Sequence, residues 1–458
     1  MTLSRRQFLA STAAVLAAGP TLATTPMAGD LIAAEASIQI APPDYPPTRV
    51  WAFNTASPGP EIRLAQGERL TRTLKNSLPQ ATSIHWHGLR LPNAMDGVPG
   101  LTQTAVAPGD SFVYDFTPPD AGTFWYHSHQ NAVEQLERGL YGPLIVTEAD
   151  APDVDGDEVI VLDDWRLTDK AEVDPAFDNS HDFSHAGRIG NFVTSNSRYD
   201  LTLTVRRHDR LRLRLINAAN AQVFDLGLAG MSGWIVAHDG MPLETPEAVD
   251  RLTLGPGQRA DLIADVSAES GGRGHLVRIE RGQGYALVAF DVRGQNASAR
   301  RGPPLPLPPN PVQGPDGLTA ARTVPLLMAG GAMGGMRSAV LEGVETGMRD
   351  LAQIGMYWAF NGNVGLPESP LITAAIGETI RMPIDNQTVF PHAMHLHGQH
   401  FREVQQDGSF GPLRDTLLVQ PREKREIAFV ADNPGDWLFH CHMLAHQVAG
   451  MKTWIKVT

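Results

Sequence analysis

Three stretches of this chain follow one template: "GERLTRTLKN" (67–76), "HDRLRLRLIN" (208–217) and "GETIRMPIDN" (377–386). Each places an acid second, aliphatic residues fourth and eighth, and asparagine tenth. The alternation has the period of a half-buried strand, whose successive side chains face opposite sides. A second shared stretch follows each copy: "PGDSFVYDF" (108–116), "PGQRADLIA" (256–264) and "PREKREIAF" (421–429). These open with a turn and continue as an alternating strand. Repetition of one strand–turn unit predicts three similar β-units. The expected fold is all-β: three Greek-key β-sandwich domains at 36–150, 155–295 and 321–458. The Pro-rich run "RRGPPLPLPPNPVQGPDG" (301–318), within 296–320, reads as an extended linker between the second and third.

Aligning the copies turns the repeat into a map of function. Nine residues after Asn76 comes "HWHG" (85–88), and nine after Asn386 comes "HLHG" (395–398). Nine after Asn217 comes "LGLA" (226–229), with leucines in place of histidines. Likewise "GTFWYHSH" (122–129) matches "GDWLFHCH" (435–442), which sets Ser128 at the place of Cys441. The first and third units carry metal-type residues at equivalent positions, and the second does not. A shared site between units one and three is expected.

Four His-X-His pairs result: His85/His87, His127/His129, His395/His397 and His440/His442. Residues i and i+2 of a strand project from one face, so each pair can aim two imidazoles at one point. Imidazole suits copper, zinc, iron and nickel. A single such pair reads as surface histidines; four at repeat-equivalent positions read as ligands. Cys441, the only cysteine, excludes an intrachain disulfide and points away from His440 and His442. His392 and His446 can complete a trigonal His₂Cys set with it, and Met451 can act as a weak axial ligand. That combination marks a blue-copper electron-transfer site. The plainer reading, a buried small hydrophobe, leaves the flanking histidines unexplained. The thiol then joins two metal sites through a few covalent bonds.

The motifs "HWHG", "HSH", "HAMHLHG" and "HCHMLAHQVAGM" make the chain resemble three-domain multicopper oxidases of the laccase, copper-efflux oxidase and copper-resistance type. The resemblance covers nearly all of the mature chain. It implies cupredoxin-like domains and four copper ions. The blue (type 1) copper would take His392, Cys441, His446 and Met451. The type 2 copper would take His85 and His395. Of the type 3 pair, one would take His87, His127 and His442, and the other His129, His397 and His440. It also implies one-electron oxidation of a phenol, aromatic amine or metal ion such as Cu(I) or Mn(II), coupled to reduction of dioxygen to water. Asp96, in "LPNAMDGVPG", matches the family's acid near the cluster; its plainer reading is a turn aspartate before Gly97. Gln447 stands where bacterial relatives often carry a proton-relaying glutamate. The alternative function is a periplasmic copper-binding or copper-tolerance protein with negligible oxidase turnover.

The N-terminus places Arg5 and Arg6 before a short apolar stretch, Phe8–Gly19, and small residues. "SRRQFL" resembles a twin-arginine export signal, so residues 1–30 read as a signal peptide and the mature chain as periplasmic or secreted. No stretch predicts a lasting membrane anchor. A net charge of −13 with no evident basic face argues against a nucleic-acid partner. His181, His185, His208, His238, His275 and His400 fall outside the motifs and read as ordinary histidines. The methionines of 328–356 read as gap-filling side chains, with Cu(I) recruitment as the alternative.

Overall fold

The computed structural model describes residues 28–296 and 301–458. Arg5, Arg6 and the expected signal stretch up to residue 27 lie outside the described residues. In all three units the template strand sits in the middle of its sheet. Leu70–Asn76 lies between Ala28–Ile38, which runs parallel to it, and antiparallel Ser111–Phe116. Arg210–Asn217 lies likewise between Gly156–Trp165 and Arg259–Val266. Thr379–Asn386 lies between Leu326–Gly330 and Lys424–Val430. A second sheet completes each sandwich. In the first unit it contains Gly122–His127 and His85–His87; in the third it contains Gly435–Cys441 and His392–Leu396.

The repeated polar positions have repeated jobs. The second-place acids each accept a backbone N–H from the turn before the strand: Ala65 to Glu68 at 3.0 Å, Arg206 to Asp209 at 2.7 Å, and Ala375 to Glu378 at 2.9 Å. The tenth-place asparagines each accept from the N–H two residues on, at 2.9–3.0 Å. Their amides then donate to two carbonyls, one in the following loop and one before the second shared stretch. Each asparagine therefore fixes the loop that leads to the His-X-His position, using local side-chain bonding that suits Asn.

One continuous apolar core runs through units one and three, from Leu31 and Trp86 to Phe439 and Ile455. The second unit has its own, in which Leu226 fills the histidine-equivalent place. Trp125, Val133, Ile216 and Leu444 form a smaller cluster where the three units meet. The Pro-rich run is held against this body. Leu307 is buried, and the Asn310 side chain bonds the backbone N–H and C=O of Ala121 at 2.8 and 2.7 Å. Met328 is core, and Met336, Met348 and Met356 pack on Leu351 and Val364, whereas Met333 is 78% exposed. Among the described residues no helix is long and apolar enough to cross a membrane.

Candidate metal centre

The four pairs converge between units one and three. His85 faces His127 across adjacent strands, as His395 faces His440. The rings of His87 and His395, from different domains, stack with centroids 3.7 Å apart, and those of His85 and His397 at 3.9 Å. His442 lies with its ring 5.0 Å from His87 and 5.3 Å from His127. Potential ligand atoms of His129, His397 and His440 lie within 4.8 Å of one another, as do those of His85, His395 and His397. The eight rings are buried, none more than 8% exposed. Burial pushes the His87, His127, His129, His397, His440 and His442 imidazoles well below their usual range, with neighbouring histidines adding to it. Those rings are neutral, the form that binds metal.

Their outward nitrogens are anchored. His127 and His440 direct Nδ1 at the carbonyls of Ser128 and Cys441, both at 2.9 Å. His395 Nδ1 meets the Asp415 carbonyl at 3.0 Å. Asp96 serves two rings: its carbonyl lies 2.9 Å from His85 Nδ1, and its Oδ2 lies 2.9 Å from His397 Nδ1. Carbonyls and carboxylates only accept, so these nitrogens carry the protons and the other nitrogen keeps a lone pair. The inward nitrogens Nε2 of His85, His127, His129 and His395, and Nδ1 of His87, have no hydrogen-bond partner among the described residues. His397 Nε2 and His440 Nε2, two such acceptors, face each other at 3.1 Å.

The second cluster is built the same way. Cys441 ends its strand on the side opposite His440, and its Sγ lies 3.5 Å from His392 Nδ1 and 3.7 Å from His446 Nδ1. His446 Nε2 donates to the His185 carbonyl at 2.6 Å. His392 Nε2 lies 2.8 Å from the Thr388 hydroxyl, which itself donates to Asn386 Oδ1 at 2.8 Å. The two Nδ1 lone pairs therefore oppose each other at 3.0 Å. Burial pushes the Cys441 thiol up to about 12, so a thiolate there requires a cation beside it. Met451 is buried, and its backbone bonds Cys441 and His446. Acceptor nitrogens forced together, with a buried thiol, are what a soft or borderline cation would hold in place. The donor set fits copper. In unit one the same place is occupied by Thr82, Ser128 and Gln135, whose hydroxyls both meet Gln135 Oε1, at 2.7 and 2.5 Å.

Three family models, each described as multicopper oxidase, match residues 35–151, 156–274 and 336–458. The chain belongs to the multicopper oxidase family. It is similar to multicopper oxidase MmcO of Mycobacterium tuberculosis, 31% identical over 88% of this chain and 82% of the relative. Among solved structures, Lac15 from a marine microbial metagenome is 41% identical, with a TM-score of 0.77 over 93% of this chain and 99% of that one. A multi-copper oxidase from Pseudomonas thermotolerans gives a TM-score of 0.81 at 31% identity, over 94% and 99%. The sandwiches are thus cupredoxin domains. The protein is a copper-dependent oxidoreductase that couples oxidation of a donor to reduction of dioxygen to water.

This multicopper oxidase also uses residues that its motifs do not reveal. Asp415 Oδ1 lies 3.2 Å from His87 Nε2 and 3.3 Å from His395 Nδ1. Arg259, from the second domain and fully buried, grips that carboxylate at 2.8 and 2.5 Å. Burial alone would raise the Asp415 carboxyl; the Arg259 charge and its hydrogen bonds, with those of His395 and His87, hold it well below the usual range. Gly257, two residues before Arg259, turns at φ +83° against the cluster, where a Cβ would stand 2.9 Å from the His442 ring and 3.0 Å from His87. The second domain carries none of the His-X-His pairs, yet it supplies part of the cluster's wall and the countercharge to Asp415.

Proposed function

We propose that this multicopper oxidase holds four copper ions, one at His392, Cys441, His446 and Met451, and three among the eight paired histidines. His85 and His395 serve one of the three. His87, His127 and His442 serve the second, and His129, His397 and His440 the third. The observation that carries this reading is the pair of opposed acceptor contacts, His392 to His446 at 3.0 Å and His397 to His440 at 3.1 Å. Bound copper supplies one-electron redox chemistry and holds the oxygen.

The chain's own residues do the rest. Cys441 shares backbone with His440 and His442, so its thiolate offers a covalent path from one site to the other. Met451, buried and bonded through its backbone to Cys441 and His446, would add its thioether to the blue site. Asp96 fixes the tautomers of His85 and His397 and, as a buried carboxylate between them, can hold a proton for the cluster. Gln447 cannot do so. A copper store would have no use for a thiolate joining two sites. Oxygen uptake by copper-loaded protein, with a phenol and then with Cu(I), tests the oxidase reading. Uptake that stops on chelation is expected, and none with either donor would contradict it.

The segment before Ala28, where the first strand begins, is assigned to twin-arginine export into the periplasm on the strength of "SRRQFL". Arg5→Lys with Arg6→Lys should leave unprocessed chain in the cytoplasm, read by fractionation. Undiminished periplasmic protein would refute the assignment.

A further inference from the structure

Two of the six histidines outside the motifs stand apart from the rest. His181 and His185 are one turn apart at Ser180–Ser184, and their rings stack with centroids 3.9 Å apart at 28°. His181 is exposed and His185 half-buried. His185 Nδ1 lies 3.1 Å from the His181 carbonyl and 2.9 Å from the Ser184 hydroxyl, which itself donates to the Ser180 carbonyl at 2.7 Å. Both contacts of Nδ1 accept a proton, so Nδ1 carries it and Nε2 keeps its lone pair. A ligand-ready imidazole therefore stands beside a second one on an exposed turn; the rings lie face to face, so the exposed His181 ring must turn for both to meet one ion.

That turn, from the second domain, is fastened onto the third by three consecutive carbonyls. Phe183 accepts from Trp358 Nε1 at 2.6 Å, Ser184 from the Ala332 N–H at 2.7 Å, and His185 from His446 Nε2 at 2.6 Å. The outer edge of the His446 ring thus ends on the His185 peptide, where no donor molecule can touch it directly. From the His185 imidazole the way to His446 is one residue's covalent frame and one hydrogen bond.

The donor groups at this turn discriminate between ligands. Asp182, its carboxylate, is committed to Arg166 through bonds of 2.6 and 3.1 Å. Met333, next to the fastened Ala332, is 78% exposed. The two imidazoles suit a soft or borderline ion; Mn(II) prefers carboxylate, carbonyl and water. We propose that His181 and His185 dock a cuprous ion as electron donor, and that the His185 peptide carries its electron to His446. The proposal rests on the assignment of His446 to the blue copper. Each docked ion is oxidised by one electron and leaves as Cu(II). Four such electrons, with four protons, reduce one dioxygen to two waters at the cluster.

The test titrates the copper-loaded enzyme with Ag(I), a redox-inert ion of the same charge and softness. Calorimetry should show a site in the wild type that His181→Ala with His185→Ala weakens by about tenfold or more. In the wild type, Ag(I) should also protect both histidines from diethyl pyrocarbonate, read by peptide mass. The KM for Cu(I) should rise in the double variant. Equal Ag(I) affinity in the two proteins, or no protection in the wild type, would overturn the proposal. Copper content and blue absorption of the same samples report on the His446 assignment separately, so failure of one reading is distinguishable from failure of the other.

Discussion

Cys441→Ser should abolish the intense blue absorption and stop turnover with every donor, while most cluster copper stays bound. In the proposed assignment the thiolate would be the strong ligand of the blue site and the covalent link to His440 and His442. Serine removes both functions with little change of volume. The new hydroxyl would lie near His392 Nδ1 and His446 Nδ1, now 3.5 and 3.7 Å from Sγ, and can donate to either. The local cost should therefore be on the order of 1 kcal/mol. Ser128 already occupies the equivalent strand position in the first domain, buried and hydrogen-bonded. The paired histidines keep their outward anchors, so their metal sites survive. A visible spectrum, copper analysis and steady-state oxygen uptake on one sample check this. Normal turnover in Cys441→Ser would show that electrons take another path.

Arg259→Met should lower stability by about 3–5 kcal/mol and loosen copper at the cluster. The guanidinium is fully buried and bonds all three domains. It meets Asp415 of the third, Thr123 O of the first at 3.2 Å, and Asp239 O and Gly257 O of its own at 3.0 and 3.1 Å. Methionine fills much of the volume but leaves the buried Asp415 charge without its cationic partner. That loss is larger than the net worth of the ion pair itself. Adding Asp415→Asn should recover part of the stability, because it removes the stranded charge. It should not fully restore copper retention, since a neutral amide oxygen accepts more weakly from His87 and His395 than the Asp415 carboxylate does. Unfolding of a copper-loaded three-domain protein need not be reversible, so half-life at fixed temperature is the suitable measure. A half-life and copper content equal to wild type in Arg259→Met would contradict the keystone role.

The histidines were legible because strands make spacing readable. The i, i+2 period ties "HWH" and "HCH" to one face, and the repeat ties first-domain pairs to third-domain pairs. The template asparagines and acids also repeat, because each domain needs the same loop fixed. Asp415 and Arg259 follow no such pattern. Asp415 lies between two short strands, and its partner His87 is 328 residues away in sequence. Arg259 aligns with Ser111 and Lys424 in the other copies, so the repeat argues against a shared role. Burial of the whole strand that Arg259 opens is visible only in the fold, because Asp261 and Asp265 interrupt its apolar pattern. His185 was hidden differently, since its contact to His446 is made by a backbone carbonyl, which any residue type supplies.

Copper per chain in the purified, fully loaded protein tests the central claim most directly. The two donor sets hold four ions in this account, so the ratio should be near four, falling to near three in Cys441→Ser. A ratio near one in the loaded wild type, or zinc bound as readily as copper, would contradict it.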